Sequence, residues 1–189
     1  MKNRHGGNRG KSRAAWSRRQ TFSRRTRIRA WRIAGSEFYV LEITTSRFGV
    51  LSVDEQRLMT FPRGLLGFPS YQQFALVQTG EGNYFFWLQS VEDPNLAFVV
   101  TDPTTFFKDY EVPMRDETLG DLEFSDLKFA QVFVICNKIG DWLTGNLLGP
   151  IIVNSEKRIA QQVVLTEKKW TTRQPLLRLT AEVPLAKSA

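Results

Sequence analysis

Two aromatic-rich apolar runs, Tyr84-Phe85-Phe86-Trp87-Leu88-Gln89 and Leu96-Ala97-Phe98-Val99-Val100-Thr101, flank the turn Glu92-Asp93-Pro94-Asn95. A second Asp-Pro pair, Asp102-Pro103, stops the second run. Each run is too short for an ordinary helix and is bounded by turn chemistry. The pattern therefore predicts two adjacent antiparallel strands joined by a short loop. Asp102 is placed to accept backbone N–H bonds at an N-cap, with Pro103 at the first helical position of a short helix running through Thr104-Thr105-Phe106-Phe107.

The same punctuation continues along the chain. Leu41 and Ile43 alternate with Glu42 and Thr44, and Leu51 and Val53 resume the alternation after a turn at Phe48-Gly49-Val50. A short strand over 58–61 ends at Pro62, which cannot donate to a ladder. Gly64 and Gly67 then permit positive φ in a compact loop. One helical turn over 69–73 precedes a strand over 74–78 and a hairpin loop over 79–83. Further on, 110–112 reads as a strand ended by Pro113, 115–119 as a small helix ended by Gly120, and 128–136 as the longest strand. Strands over 142–147, 151–153 and 161–165 follow, and the chain from Thr171 has no clear period. Many short strands separated by turns predict an all-β, mainly antiparallel sandwich or barrel with a few short peripheral helices. Trp87, Leu88, Phe98, Val99, Phe133 and Ile135 are assigned to its core.

The net charge of +7 conceals an asymmetry. Residues 1–36 hold 12 of the 26 Lys and Arg and none of the Asp and Glu. Residues 37–189 therefore set 14 basic against 19 acidic residues, a net of −5. Residues 1–39 read as a basic, disordered arm, 40–175 as the β domain and 176–189 as a tail. Three readings of the arm stand side by side. It grips a polyanion, with Trp16, Phe22 and Trp31 stacking on bases; it is an Arg- and Ser-rich targeting segment; or translation starts at Val40 on a GTG codon and the arm is not native.

Enzymatic chemistry finds little material. The one histidine, His5, lies in the arm, which leaves the domain no imidazole base or metal ligand. No zinc spacing and no phosphate-cradling glycine loop occurs. Ser90 sits near Glu92 and Asp93, and Asp102, Asp109 and Glu111 are further carboxylates, but turn and cap uses explain them better than catalysis. Neither metal, cofactor nor enzymatic activity is expected. The single cysteine, Cys136, lies inside an apolar run, which excludes a disulfide framework and fits a reducing compartment. No run approaches the roughly 18 apolar residues of a membrane span.

Taken in order, four motifs carry a resemblance. They are Phe61-Pro62-x-Gly64-Leu65-x-Gly67-Phe68; Phe86-Trp87-Leu88-Gln89-Ser90 leading to Asp93-Pro94-x-Leu96-Ala97-Phe98 and Asp102-Pro103; Asn146-Leu147-Leu148-Gly149-Pro150-Ile151; and Gln162-Val163-Val164-Leu165. Together the set, spanning about Val40 to Pro175, resembles the flagellar assembly factor family FliW. Gly149 stands where that family often has alanine, and the arm has no family counterpart. The resemblance implies a small β-barrel-like domain in the cytoplasm that binds the RNA-binding translational repressor CsrA and, exclusively of it, flagellin. Capture by excess flagellin would then free the repressor. A net-negative domain suits a basic RNA-binding partner. Asp102, Phe106, Phe107, Asp109 and Tyr110, on one short peripheral segment, are the expected contacts, against the alternative of a lid over a barrel end. Asn146 and Asn154 bracket the Leu-Leu-Gly-Pro-Ile-Ile-Val segment and are secondary candidates, with turn chemistry the favoured use. No membrane partner is expected, and no direct nucleic acid for the folded domain. Two other classes compete: a nucleic-acid-binding β-barrel that uses the arm, and a hydrolase on a small β scaffold.

Overall fold

The computed structural model describes residues 27–33, 36–78 and 84–179, with side chains from Val40 onward. Residues 1–26, 34–35, 79–83 and 180–189 lie outside the described residues, and with them most of the arm and tail expectations and the hairpin loop expected over 79–83. In chain order the strands are β1 (Arg27–Ile33), β2 (Ser36–Thr45), β3 (Gly49–Asp54), β4 (Leu58–Thr60), β5 (Gln73–Val77), β6 (Phe85–Ser90) and β7 (Ala97–Thr101). A six-residue helix, α1 (Asp116–Asp121), follows. Then come β8 (Ala130–Ile139), β9 (Trp142–Gly145), β10 (Ile151–Asn154), β11 (Ile159–Gln162) and β12 (Gln174–Arg178).

The β6–β7 hairpin forms as its turn chemistry requires, with Leu88 opposite Phe98. Strands β4 to β8 pair antiparallel in sequence order. The first half of β8 carries β10 and β10 carries β11. A single parallel pairing of Ile159 with Thr60 then joins β11 to β4. Seven strands close in this way into a barrel, which leaves them no open edge. The second half of β8 carries β9, and β12 adds outside β9. A second sheet, β1-β2-β3, stands apart from the barrel ladder.

Three cores follow from this layering. Inside the barrel, Met59, Phe61, Phe74, Leu88, Val100, Phe133, Ile151 and Val153 are buried together. The loop after β4 turns in over one end, placing Leu65, Phe68 and Tyr71 against them, and Phe68 meets Phe98 edge to face at 5.2 Å. Outside, Leu41, Ile43 and Val53 of β2 and β3 pack on Leu58, Ala75 and Val91. On another outer face, Tyr110, Val134, Leu147, Leu165 and Trp170 form the third core. Adjacent residues such as Phe133 and Val134 therefore serve different cores, so these strands have two apolar faces rather than one.

That layering corrects several expectations. Leu88 and Phe133 are buried inside the barrel, and Phe98 and Ile135 pack against that core. Trp87 and Val99, paired across β6 and β7, face outward instead. Trp87 is half-buried under the β2–β3 turn, with Phe48 edge-on at 5.7 Å and the Arg47 guanidinium 4.9 Å from its centroid. Trp87→Ala should therefore cost about 1–2 kcal/mol rather than the ~3–5 of a fully buried tryptophan; a urea denaturation series measures it.

Residues 110–112 form no strand, because Tyr110 is drawn inward to the third core. The helix runs through Gly120, and the chain turns instead at Glu123, with φ 53°. The unpatterned tail contains β12, whose register shifts between Pro175 and Leu177. A proline without N–H at a bulge on an edge strand hides the alternation that would have revealed it. Strand β2 begins at Ser36, four residues before Val40, and pairs with β1 from Ser36 to Glu42.

Candidate partner-binding surface

Chemistry-bearing residues near the β6–β7 turn are engaged in local structure. Ser90 Oγ accepts from the N–H groups of Glu92 and Asp93 at 3.1 Å each. The Glu92 carboxylate accepts from the N–H groups of Gln72 and Gln73. Buried Gln89 donates its amide to the carbonyls of Ser90 and Leu96 at 3.0 Å, holding the turn from beneath. The Cys136 thiol is pushed up to about 12 by burial, which keeps it an unreactive thiol.

The segment after β7 is built as its sequence requires. Asp102 Oδ1 accepts from the Thr104 N–H at 2.8 Å and from its hydroxyl at 2.6 Å. Pro103 is buried at the start of a 3₁₀ turn over Pro103–Thr105, shorter than the expected helix. The turn directs three aromatics onto the barrel wall. Phe106 stacks on Phe85 with centroids 5.9 Å apart. Phe107 and Tyr110 meet Trp170 at 5.2 and 5.4 Å. The segment thus covers the outer face of β8 rather than a barrel end.

Tyr110 is 4 % exposed, and its hydroxyl donates to the Leu147 carbonyl at 2.8 Å. Burial, with the nearby Glu167 charge adding to it, holds this phenol well above the ordinary 10.0. The folded chain therefore keeps a proton that the unfolded chain releases as pH rises past about 10. Stability is fully present below that pH and declines above it, and Cys136 contributes in the same direction from pH 9.0 upward. Tyr110→Phe is expected to flatten this alkaline decline without abolishing it. It should also cost about 1–2 kcal/mol at neutral pH by leaving the Leu147 carbonyl unpaired. Thermal melts between neutral and alkaline pH test both effects.

Asp109 is exposed and accepts from Lys169, whose ammonium also lies 4.7 Å from the Trp170 centroid. The Lys169 hydrogen bond is the main reason the Asp109 carboxyl sits below the usual range. Exposed Asp102 and Asp109 and half-buried Phe106 and Phe107 therefore sit on one ridge, with Tyr110 as its buried foot.

The two asparagines behave differently from each other. Asn146 opens the excursion by which the chain leaves β8 after β9 and returns as β10. Its N–H donates to the Ile135 carbonyl at 2.9 Å, and its Oδ1 is buried without a hydrogen-bond partner among the described residues. Gly149 leaves room for that side chain, since a Cβ there would come within 2.6 Å of Asn146 Nδ2. Tyr110 reaches the same excursion through Leu147, so Asn146 adjoins the ridge. Asn154 lies at the far end of β10, fully buried, with both amide atoms bonded to backbone groups of its own chain. Turn chemistry accounts for it.

The sequence motifs include Gln162 without a role for it and leave out Trp170. Trp170 is the ring on which two expected contacts rest, and its signal was one tryptophan after Lys168-Lys169. Gln162 donates to the Gly149 carbonyl at 3.0 Å and accepts from the Leu66 N–H at 3.1 Å, which links two of the recurring motifs. Among the described residues, no helix is long and apolar enough to cross a membrane.

Comparison with known proteins matches this arrangement. The sequence model of the FliW protein family matches residues 42–176. The flagellar assembly factor FliW of Natranaerobius thermophilus is 34% identical over 139 residues, covering 72% of this chain and 92% of that one. Its counterpart in Magnetococcus marinus is 36% identical over 140 residues, covering 72% and 85%. A crystal structure of the flagellar assembly factor FliW superposes with a TM-score of 0.66 at 34% identity, covering 72% of this chain and 96% of that one.

Proposed function

The chain belongs to the FliW family, and on that premise we propose that it is a flagellar assembly factor acting in the cytoplasm as a protein–protein switch. In one state it binds a CsrA-type translational repressor and relieves repression of flagellin synthesis. In the other it is held by flagellin, which excludes the repressor. The observation that carries this reading is the family match, whose bounds, residues 42–176, take in the barrel and its covering loops.

Charge supports the choice of partner. Residues 37–189 carry a net −5, and a repressor that grips RNA presents a basic surface. The ridge after β7 offers two exposed carboxylates, Asp102 and Asp109, beside aromatic side chains, a combination that can anchor a basic partner. The activity we assign is binding rather than catalysis.

The ridge is tested by removing its charge while keeping its shape. Asparagine caps as well as aspartate, so Asp102→Asn with Asp109→Asn should leave the melting temperature nearly unchanged. Affinity for the repressor should fall about tenfold, equivalent to ~1.4 kcal/mol. Unchanged affinity in that variant would move the interface to another face.

A further inference from the structure

The barrel is closed differently at its two ends. At one end the loop after β4 inserts Leu65, Phe68 and Tyr71 against the interior. The other end is open as a cavity of ≈ 210 Å³. Its floor is apolar, formed by Met59, Leu76, Phe86 and Val153. Its lip carries two guanidinium groups, Arg57 and Arg158, among the uncharged polar side chains of Gln56, Gln78, Gln131 and Ser155.

We propose that this open mouth binds a small carboxylate carried on an apolar body, of about the size of a phenylacetate ion. The volume is large enough, since a cavity of about 150 Å³ accommodates benzene, and here the apolar floor meets a polar, open lip. Met59 and Phe86 give the floor a polarisable thioether and an aromatic face for a flat ring.

The lip selects the charge. Arg158 is held in place by Glu55, with Nη2 at 3.6 Å from Oε1 and Nη1 donating to the backbone carbonyl at 3.4 Å. It also sits at φ 58°, a backbone conformation that fixes where its side chain leaves the chain. Two contacts to Glu55 leave part of its five-donor guanidinium for another acceptor. Arg57 is exposed on the 3₁₀ turn over Glu55–Arg57 and has no ion-pair partner among the described residues. Two arginines against one glutamate leave the lip cationic. A neutral apolar molecule would fill the floor without using the lip, and a cation would be repelled by it. An apolar body ending in a carboxylate satisfies both, and Arg can hold that group through two hydrogen bonds.

The test uses the full chain labelled with nitrogen-15, titrated with phenylacetate and, separately, with neutral phenylacetamide. Saturable shifts confined to amides around Arg57, Leu76 and Val153 to Arg158 are expected, with phenylacetamide at least about tenfold weaker. Arg57→Gln is exposed and should preserve the spectrum while weakening phenylacetate by about tenfold. No saturable shift up to about 10 mM, well beyond the concentrations of specific small-ligand binding, would overturn the proposal. So would shifts centred on another surface, or equal responses to acid and amide.

Discussion

Gly64→Ala is expected to destabilise the fold by about 3–5 kcal/mol. Gly64 sits at φ 64° in the loop that closes one end of the barrel. A Cβ built on it would lie 2.5 Å from the Phe68 carbonyl oxygen and 2.7 Å from the Pro69 Cα. Both are backbone atoms, so no side-chain rotation relieves the overlap. The left-handed conformation adds about 1–2 kcal/mol, and the remainder comes from displacing the loop that holds Leu65 and Phe68 against the core. Gly67 supplies the internal control. Its φ is 85°, but nothing lies within 4 Å of where a Cβ would stand. Gly67→Ala should therefore cost only the conformational term, about 1–2 kcal/mol. Urea midpoints of the two variants measure the difference, and equal values would refute the close approach of Gly64 to Pro69.

Asn154→Ala should cost about 3–4 kcal/mol while leaving the affinity of the remaining folded protein for its partners unchanged. Its Nδ2 donates to the carbonyls of Leu122 and Glu123 at 2.9 and 3.2 Å. Its Oδ1 accepts from the N–H groups of Glu156 and Lys157 at 3.1 Å each. One side chain thus pairs four backbone groups, tying the turn after β10 to the end of α1, and each bond contributes about 1 kcal/mol net. Asn154→Asp should be no better, because it points an acceptor at two carbonyls and buries a charge. A loss of partner affinity in the folded Asn154→Ala protein would return this residue to the interface.

The sequence was most readable where local chemistry decides the structure. Asp102 caps a turn begun by Pro103, Asp93 and Pro94 shape a hairpin loop, and Gly64 occupies a position only glycine tolerates. It was least readable where tertiary contacts decide. Period-two patterns assume one wet face, and here the second sheet and the covering loops bury the outer faces too. Trp87 and Leu88 were therefore indistinguishable as core candidates, although one faces the turn over β6 and the other the barrel interior. Tyr110 looked like a strand residue because nothing local shows that its hydroxyl reaches Leu147, 37 residues later. Trp170 lay between the strand over 161–165 and the unpatterned stretch from Thr171, in a segment assigned to no element, for the same reason. Its place is set by Phe107 and Tyr110, not by its neighbours in sequence.

The switch is tested most directly by titrating the full chain calorimetrically into the CsrA-type repressor of the same cell, alone and after saturation with flagellin. Binding heat in the first titration and none in the second is the expected result. Repressor binding that flagellin leaves untouched, or no binding to either protein, would contradict the switch.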